Sequence, residues 1–322
     1  MKEKQEREPY SILSFFCGCG GLDLGFRGDF DYRGEHYEKL PFTISAAYDF
    51  NLSCVETYNR YFGDNHAYQL DLSNADPSGF EDTDVLIGGF PCQEFSSCGP
   101  LGGLESDRGQ LYKVMINYMH IHHPKVVVGE NVINLLRMQD GNVIRTIVSD
   151  LENEGYKVAV WNLYAPDYGI PQKRNRLFFI CIRKDLEGFP EKPEPFFKDS
   201  PRSIEWAIGD LIDIEDETIP NQSQFFRASK AKRGNGQGDE RNIKDEPAYT
   251  IRANPKSRVQ FHYEKDRRLT VRECARIQTF PDDFEFSHSM TTSISQIGNA
   301  VPPVLGHVVA QSIAKYLSKI GG

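Results

Sequence analysis

The residue of this sequence with the clearest chemical potential is Cys92, which follows an apolar run and a proline. Residues 84–90 read Asp-Val-Leu-Ile-Gly-Gly-Phe and predict a buried strand that ends at Pro91, because proline cannot donate to a ladder. Cys92 would then stand at the carboxyl edge of a sheet, where open α/β sheets bind ligands. A thiolate there is a candidate nucleophile. An isolated Pro-Cys pair is more often part of a turn, so the interpretation depends on its neighbours.

A glutamate is predicted close to this thiol. Glu130 and Asn131 directly follow the apolar run over residues 126–129, so their strand ends at the same edge as that of Cys92. A glutamate at a strand end could be a simple cap. Beside a nucleophilic cysteine, it could instead hold a proton against a ring nitrogen.

An arginine-containing segment precedes another apolar run. It reads Gln172-Lys173-Arg174-Asn175-Arg176 and leads directly into the run over residues 177–180. Alternate residues of an extended segment project to one side. We therefore expect Gln172, Arg174 and Arg176 to point together.

A glycine-rich turn follows the first predicted strand and reads Phe16-Cys17-Gly18-Cys19-Gly20-Gly21-Leu22-Asp23. Glycines in a strand-to-helix turn let a ligand approach the backbone closely. A dinucleotide is disfavoured, because Asp23 stands where its fingerprint needs Gly or Ala and would face the pyrophosphate. A cofactor without phosphates, such as S-adenosylmethionine, meets no such objection.

Two aspartates downstream strengthen the prediction of a cofactor site. Asp49 ends the second predicted strand, where an acid would hold ribose hydroxyls, and Asp71 follows a presumed third strand, near the expected adenine amine. Either aspartate taken alone is more typical of a cap or a turn.

The elements that must position these residues alternate between strands and helices. The strand-like runs are residues 12–16, 42–46, 85–87, 126–128, 158–161 and 177–180. Val143, Ile147 and Leu151 share one face of a predicted helix that Gly155 closes. This alternation predicts an α/β fold with a mostly parallel, Rossmann-like sheet covered on both faces.

The alternation breaks after about residue 183. Residues 184–266, called the insert below, are rich in proline, glycine and charge and contain no long periodic segment. Order returns at Thr270-Val271-Arg272-Glu273, a capping box, and a last helix follows Pro302-Pro303. The predicted organisation is a large domain of residues 1–183 and 267–322 with a smaller irregular domain of residues 184–266.

Composition sets broad limits on function. The chain has 322 residues, a formal charge of −9 and seven cysteines. The negative net charge argues against nonspecific nucleic-acid binding over the whole surface but is compatible with a local basic face. Basic residues dominate the segment from Arg227 to Arg276. The cysteine spacings fit neither a disulfide framework nor a metal site, which favours a reducing, cytoplasmic compartment. We see no membrane-spanning apolar run and no secretory leader.

These blocks together resemble the cytosine carbon-5 DNA methyltransferases, class I methyltransferases that use S-adenosylmethionine. The similarity covers nearly everything outside the insert. Its blocks occur in the family's order: Phe16-x-Gly18-x-Gly20-Gly21; the acids Asp49 and Asp71; Gly89-Phe90-Pro91-Cys92-Gln93-x-Phe95-Ser96; Asp107-Arg108-Gly109-x-Leu111; Glu130-Asn131-Val132; Gln172-x-Arg174-x-Arg176; Arg268-Leu269-Thr270-x-Arg272-Glu273; and Gln296-Ile297-Gly298-Asn299-Ala300-Val301-Pro302. Each block alone has low specificity, but eight blocks in the family's order are highly specific.

The resemblance implies a covalent mechanism on a cytosine flipped out of the duplex. Cys92 would add to carbon 6 while Glu130 holds a proton at N3. Asn131 would orient Glu130 and the exocyclic amine, and Arg176 with Arg174 would hold the cytosine O2 and the nearby backbone. The segment 98–109, with Arg108 near its hinge, resembles a mobile loop that closes over the flipped base.

The resemblance also implies contacts to cofactor and DNA. The cofactor residues would be Phe16, Gly18, Gly20, Gly21, Asp49, Phe50, Asp71, Leu72, Pro91, Asn299 and Ala300. The family usually carries Glu where Asp49 stands and often Trp where Phe50 stands. The insert occupies the place of the target-recognition region, and the DNA-contacting candidates are Gln93, Ser96, Arg108, Arg227, Arg233, Asn235, Gln237, Arg252 and Asn254.

The expected activity is therefore methylation of a short specific DNA sequence by a monomeric restriction-modification enzyme of a bacterial or phage-infected cell, without a metal and with a cognate endonuclease as a candidate partner. Two alternatives stay open. A tRNA cytosine methyltransferase shares the catalytic blocks, and a catalytically idle homologue would bind DNA only. A nicotinamide oxidoreductase is disfavoured by Asp23 and has no use for Cys92.

Overall fold

The structure is a computed structural model that describes residues 8–63, 65–90, 111–222, 225–230, 240–254 and 260–320, with the backbone alone at 225–227. The strands are β1 (Tyr10–Phe15), β2 (Phe30–Tyr32), β3 (Glu35–Tyr37), β4 (Phe42–Asp49), β5 (Ala67–Gln69), β6 (Val85–Gly89), β7 (Val126–Val132), β8 (Tyr156–Tyr164), β9 (Asn175–Arg183), β10 (Glu240–Arg241) and β11 (Gln260–Phe261). The helices are α1 (Gly21–Arg27), α2 (Leu52–Phe62), α3 (Tyr112–His122), α4 (Asn142–Asn153), α5 (Ile204–Ile208), α6 (Phe225–Lys230), α7 (Val271–Ile277), α8 (Met290–Asn299) and α9 (Pro303–Ile320).

Seven of these strands form one sheet in the order β5-β4-β1-β6-β7-β9-β8. The pairs among β5, β4, β1, β6 and β7 are parallel, whereas β9 runs antiparallel to both β7 and β8. The predicted α/β fold with a mostly parallel sheet is confirmed. Each of the six predicted apolar runs lies in this sheet, and the presumed strand before Asp71 is the short β5.

The sheet is buried on both faces. Val126 and Val128 of β7 belong to the hydrophobic layer that contains α1 and α9, while Val127 belongs to the opposite layer with α3 and α4. Successive strand residues point to opposite faces, so a strand covered on both sides must be apolar throughout. This explains why the central strands are continuous apolar runs.

The helix signals in the sequence are confirmed at three places. The helix α4 ends just before Gly155, which has a φ of +89°. Thr270 caps α7 in a capping box with Glu273, in which each side chain bonds to the other residue's backbone N–H. The helix α9 begins at Pro303, where the missing N–H of proline costs nothing.

The insert packs closely against the rest of the chain. Ile204, Ala207 and Ile208 of α5 lie in the same hydrophobic layer as α7 and α9. The Leu269 N–H donates to the Gln260 carbonyl (3.1 Å), and the His262 N–H donates to the Arg267 carbonyl (3.0 Å). These hydrogen bonds join residues on the two sides of the expected boundary between residues 266 and 267. The division into two domains stays a prediction.

Candidate active site

The carboxyl ends of β6 and β7 bring the proposed catalytic residues to one edge. Gly89, the last residue of β6, lies opposite Glu130 in the parallel register. On the other side of β7, the antiparallel register places Arg176 of β9 opposite Val132. Residues 130 and 132 point to the same face of their strand. Glu130 and Arg176 are therefore diagonal neighbours on that face.

Glu130 and Arg176 form an ion pair. The Arg176 Nε lies 2.6 Å from the Glu130 Oε1. Glu130 is only 7% exposed, and burial raises the pKa of its carboxyl group, an effect that the positive charges of Arg176 and Arg174 reduce. The pair thus consists of a carboxyl group with an increased tendency to hold a proton and a guanidinium that limits that tendency.

Asn131 holds backbone at the same edge. Its side-chain Nδ2 donates to the Phe90 carbonyl (3.2 Å), and its Oδ1 accepts from the Val132 N–H (2.8 Å). Phe90 is the last described residue before Pro91 and Cys92. These bonds fix the chain end that leads to Cys92, whereas the sequence-based expectation assigned Asn131 to orienting Glu130.

One cleft joins this ion pair to the glycine-rich turn. Its lining includes ten of the residues expected from the sequence: Phe16, Gly18, Gly21, Asp49, Phe50, Glu130, Asn131, Arg176, Asn299 and Ala300. The Asp49 Oδ2 accepts from the Gly18 N–H (2.9 Å), and its Oδ1 accepts from the Asn51 N–H (2.8 Å). Phe50 is 64% exposed, a large fraction for an aromatic ring.

The three glycines of the turn have different roles. Gly18 has a φ of +55° and open space where a Cβ would stand. A Cβ on Gly20 would come within 2.9 Å of ring atoms of Tyr58 and Phe62, and one on Gly21 would lie 2.3 Å from the Val301 carbonyl oxygen. Gly18 is therefore the glycine that leaves room in the cleft, while Gly20 and Gly21 are required by packing within the protein.

Three described residues expected at the cofactor, Gly20, Asp71 and Leu72, lie outside the lining of the cleft. Asp71 caps a short 3-10 helix, with its Oδ1 accepting from the Ser73 N–H (3.0 Å), and hydrogen bonds from Ser73 lower its carboxyl pKa. Leu72 is buried in the hydrophobic layer that contains Leu13 and Phe15. The alternative interpretation of Asp71 as a cap matches these contacts.

Arg174 lies behind the cleft and holds backbone. It is 1% exposed, and its guanidinium donates to the carbonyls of Ile251 (3.1 Å), Gly298 (2.8 Å) and Ala300 (2.9 Å). Gln172 is also buried, and its Nε2 donates to the Gln278 Oε1 at 2.5 Å. Gln172, Arg174 and Arg176 follow the predicted alternation, yet in this structure only Arg176 pairs with Glu130.

Most of the basic residues expected on the DNA-binding face have acidic or carbonyl partners where the structure describes them. The Lys244 Nζ lies 2.9 Å from Glu205, and the Lys265 Nζ lies 2.8 Å from Asp213. Arg267 forms two hydrogen bonds of 2.8 Å with Glu273, which is 0% exposed. Similar contacts are made by Arg241, Arg272 and Arg276. Most described basic residues of this run therefore pair with groups of the protein itself.

Several expected site residues lie outside the described residues. They are Pro91, Cys92, Gln93, Ser96, Arg108, Arg233, Asn235 and Gln237, and Arg227 is described by its backbone alone. Arg252 and Asn254 are described, and both are exposed.

Gln296 and Asp23 are among the residues that line the cleft but were not assigned from the sequence. Gln296 of α8 donates through Nε2 to the Ser53 carbonyl of α2 (2.8 Å), which ties together two walls of the cleft. Its position in the block that also contains Asn299 could have indicated this role. Asp23 is fully buried, with its Oδ1 accepting from the Tyr58 hydroxyl (3.1 Å), and burial raises the pKa of its carboxyl group to about 6.

In the described part of the chain, no helix is long and apolar enough to cross a membrane. The His, Cys, Asp and Glu side chains of this part form no group suited to holding a metal ion.

A Rossmann-like sheet with a glycine-rich turn, an acid at the end of β4 and a buried glutamate-arginine pair at the carboxyl edge is typical of a transferase with a nucleoside cofactor. The model of the C-5 cytosine-specific DNA methylases matches residues 10–315. The chain belongs to this family and is a DNA (cytosine-5)-methyltransferase, and its family membership implies S-adenosylmethionine as the methyl donor.

The relatives agree with this assignment, and solved structures agree with the fold. The type II methyltransferase M.NgoPII of Neisseria gonorrhoeae is 31% identical over 350 residues, covering 97% of each chain. M.NgoFVII of the same organism is 34% identical over 340 residues, covering 95% of this chain and 87% of the relative. The fold resembles the Dnmt2 methyltransferase of S. pombe, with a TM-score of 0.69 and 19% identity over 97% of this chain and 100% of the other. A prophage protein of E. coli, described as a DNA modification methyltransferase, has a TM-score of 0.74 at 21% identity, covering 96% and 99% of the two chains.

Proposed function

We propose that this protein methylates carbon 5 of a cytosine flipped out of a short specific sequence in double-stranded DNA, through a covalent adduct with Cys92. The Glu130–Arg176 ion pair carries this proposal, because it stands in the same cleft as the glycine-rich turn. The relatives of similar length are type II methyltransferases, which supports a role in restriction and modification. A cognate endonuclease and a monomeric state remain part of the proposal.

The residues of the cleft fit S-adenosylmethionine. The exposed ring of Phe50 offers a flat face for an adenine, and the open space at Gly18 leaves the backbone accessible. Each Asp49 carboxylate oxygen accepts one backbone N–H and keeps capacity for a ribose hydroxyl. Asn299 and Ala300 form the far wall. When bound, S-adenosylmethionine supplies an electrophilic methyl group.

The chemistry of cytosine explains the need for Glu130 and Cys92. Carbon 5 is a poor nucleophile, and addition of the Cys92 thiolate to carbon 6 converts the ring to an enamine that can attack a methyl group. Glu130 holds a proton at N3, where negative charge develops during addition. Departure of the carbon-5 proton and of the thiolate then restores the aromatic ring.

Arg176 maintains this arrangement. Its guanidinium holds the Glu130 carboxyl group in place at the strand end and offers donors to an oxygen of the bound ring. Asn131 holds the Phe90 carbonyl and so positions the segment that carries Cys92. The target base must leave the stack to reach these groups, at a cost of a few kcal/mol. Contacts from the insert to the DNA backbone and bases would supply affinity and select the site.

Transfer of labelled methyl groups to unmethylated DNA and to tRNA tests the proposal. Wild-type protein is expected to label DNA, while Cys92→Ser loses transfer and keeps its affinity for S-adenosylhomocysteine. Cys274→Ser serves as the matched control, because Cys274 is a buried cysteine of α7 that does not line the cleft. Labelling of tRNA and not of DNA would show that tRNA is the substrate. Normal turnover by Cys92→Ser would contradict the covalent mechanism.

A further inference from the structure

Arg174 connects three parts of the chain that meet behind the cleft. It directly precedes β9, the strand that carries Arg176. Its Nη1 donates to the Ile251 carbonyl in the insert, and its Nη2 donates to the Gly298 and Ala300 carbonyls. One buried guanidinium thus holds the catalytic strand, the insert and the wall of the cofactor cleft together.

The contact at α8 is favourable for a physical reason. The last carbonyls of a helix have no partner within the helix, and the helix dipole places partial negative charge there. Gly298 lies in the last turn of α8, and Ala300 follows the helix. A guanidinium, with donors in a planar fork, satisfies several such carbonyls at once.

The insert is attached to the same point by further bonds. The Lys173 N–H donates to the Ala248 carbonyl (2.7 Å), and the Ile251 N–H donates to the Gln172 Oε1 (3.0 Å). A Cβ on Gly298 would lie 2.4 Å from the Arg252 carbonyl carbon, so the two backbones touch where this glycine stands. The exposed side chains of Arg252 and Asn254 project from this fixed segment.

The two ends of this connection face different ligands under the proposed function. Gly298, Asn299 and Ala300 line the cofactor cleft, while Arg252 and Asn254 are exposed candidates for DNA contact. A ligand that orders one end also orders the other, because the same guanidinium bonds to both. Such a shared element gives coupling between two binding sites.

We propose that Arg174 is a positioning residue that couples cofactor binding to DNA binding, through its bonds to Ile251 on one side and to Gly298 and Ala300 on the other. This inference rests on the proposed function, since it assigns the cleft to the cofactor and the insert to DNA.

The test is a thermodynamic cycle. The affinity for a duplex carrying the methylated site is measured with and without S-adenosylhomocysteine, and the affinity for S-adenosylhomocysteine is measured with and without the duplex. The wild type is expected to show the same coupling factor in both directions, about 5-fold or more. Arg174→Lys keeps the positive charge but loses the planar set of guanidinium donors. The coupling factor of this variant is expected to fall below about 2-fold.

A matched control comes from the other end of the same strand. Arg183 ends β9 and donates to the His123 carbonyl and to Asp185, far from α8 in the sheet. Arg183→Lys is expected to keep the wild-type coupling factor. If Arg174→Lys does not fold, Gly298→Ala replaces it, because its new Cβ separates α8 from the Arg252 backbone.

Two results would overturn the inference. One is a wild-type coupling factor near 1-fold. The other is a variant in which both single affinities fall while the coupling factor is retained, as a merely structural role for Arg174 would give. Failure of the wild type to transfer methyl groups to DNA would instead contradict the proposed function, so the two failures are distinguishable.

Discussion

The carboxyl edge of the sheet and the insert both concentrate charged residues, and they use them differently. At the edge, Glu130 and Arg176 form a nearly buried pair that lines an open cleft. In the insert, Lys244 and Lys265 pair with exposed acids, and directly after it Arg267 pairs with the buried Glu273. Charge at the edge is available for chemistry, whereas described charge in the insert mainly connects its own segments. A count of basic residues therefore overstates the number that can contact DNA.

The first prediction addresses the edge and has the largest expected effect. Glu130→Gln removes the carboxyl group that holds a proton at N3, so kcat is expected to fall by about 10²- to 10⁴-fold. The affinity for S-adenosylhomocysteine should change little. Single-turnover methylation measures the loss, and Glu205→Gln, which alters an exposed partner of Lys244, is the control. Retained activity in Glu130→Gln would remove the distinction between the two regions.

The second prediction addresses the buried network that extends from the insert. Glu273→Ala leaves Arg267 without its carboxylate and opens the capping box of α7, so the free energy of unfolding is expected to decrease by about 3–5 kcal/mol. Urea denaturation measures this decrease. Lys315→Ala removes an exposed ion pair with Glu191 and should produce no measurable change. Equal effects would show that burial does not determine the strength of these pairs.

The third prediction concerns Asp23 beneath the cleft. Burial raises its pKa from 3.8 to about 6, so the protonated form is favoured in the folded state. Its contribution to stability is present below about pH 4 and is lost as the pH rises through about 6. Asp23→Asn is therefore expected to raise the free energy of unfolding at pH 8 by about 3 kcal/mol and to have a smaller effect at pH 4.5. An unchanged pH dependence of unfolding would refute this ionisation.

The fourth prediction has the smallest effect and separates two basic residues of the insert. Arg252 is exposed beside the cleft wall, so Arg252→Ala is expected to weaken DNA binding about tenfold and to reduce the salt slope by about 1. Lys265→Ala should leave both unchanged, because its ammonium group pairs with Asp213. Fluorescence anisotropy over a range of salt concentrations measures both variants. Equal losses would mean that ion pairing in the insert does not limit DNA contact.

The sequence was sufficient to predict the elements of the carboxyl edge. Continuous apolar runs marked the central strands because both faces of the sheet are covered, and a capping box marked the start of α7. The β2–β3 hairpin was not predicted, since its turn at Arg33 and Gly34 carries a weak signal between three-residue strands. The predicted alternation from Gln172 to Arg176 matches the burial in the structure, because Gln172, Arg174 and Arg176 are buried while Lys173 and Asn175 are partly exposed.

What the sequence could not supply was the partner of each polar group. Arg174 and Arg176 are two residues apart and of the same type, yet one bonds to three carbonyls and the other to Glu130. Asp49 ends β4 and Asp71 follows β5, but of these two aspartates only Asp49 lines the cleft. Such differences arise from contacts between residues distant in the chain, so they depend on packing rather than on spacing.

The most direct test of the account is base-resolution mapping of 5-methylcytosine on unmethylated genomic DNA incubated with the protein and S-adenosylmethionine. We predict methylation confined to one short recurrent sequence, and its absence with Glu130→Gln under the same conditions. Absence of methylation by wild-type protein that binds the cofactor would contradict the assignment of DNA cytosine as the substrate.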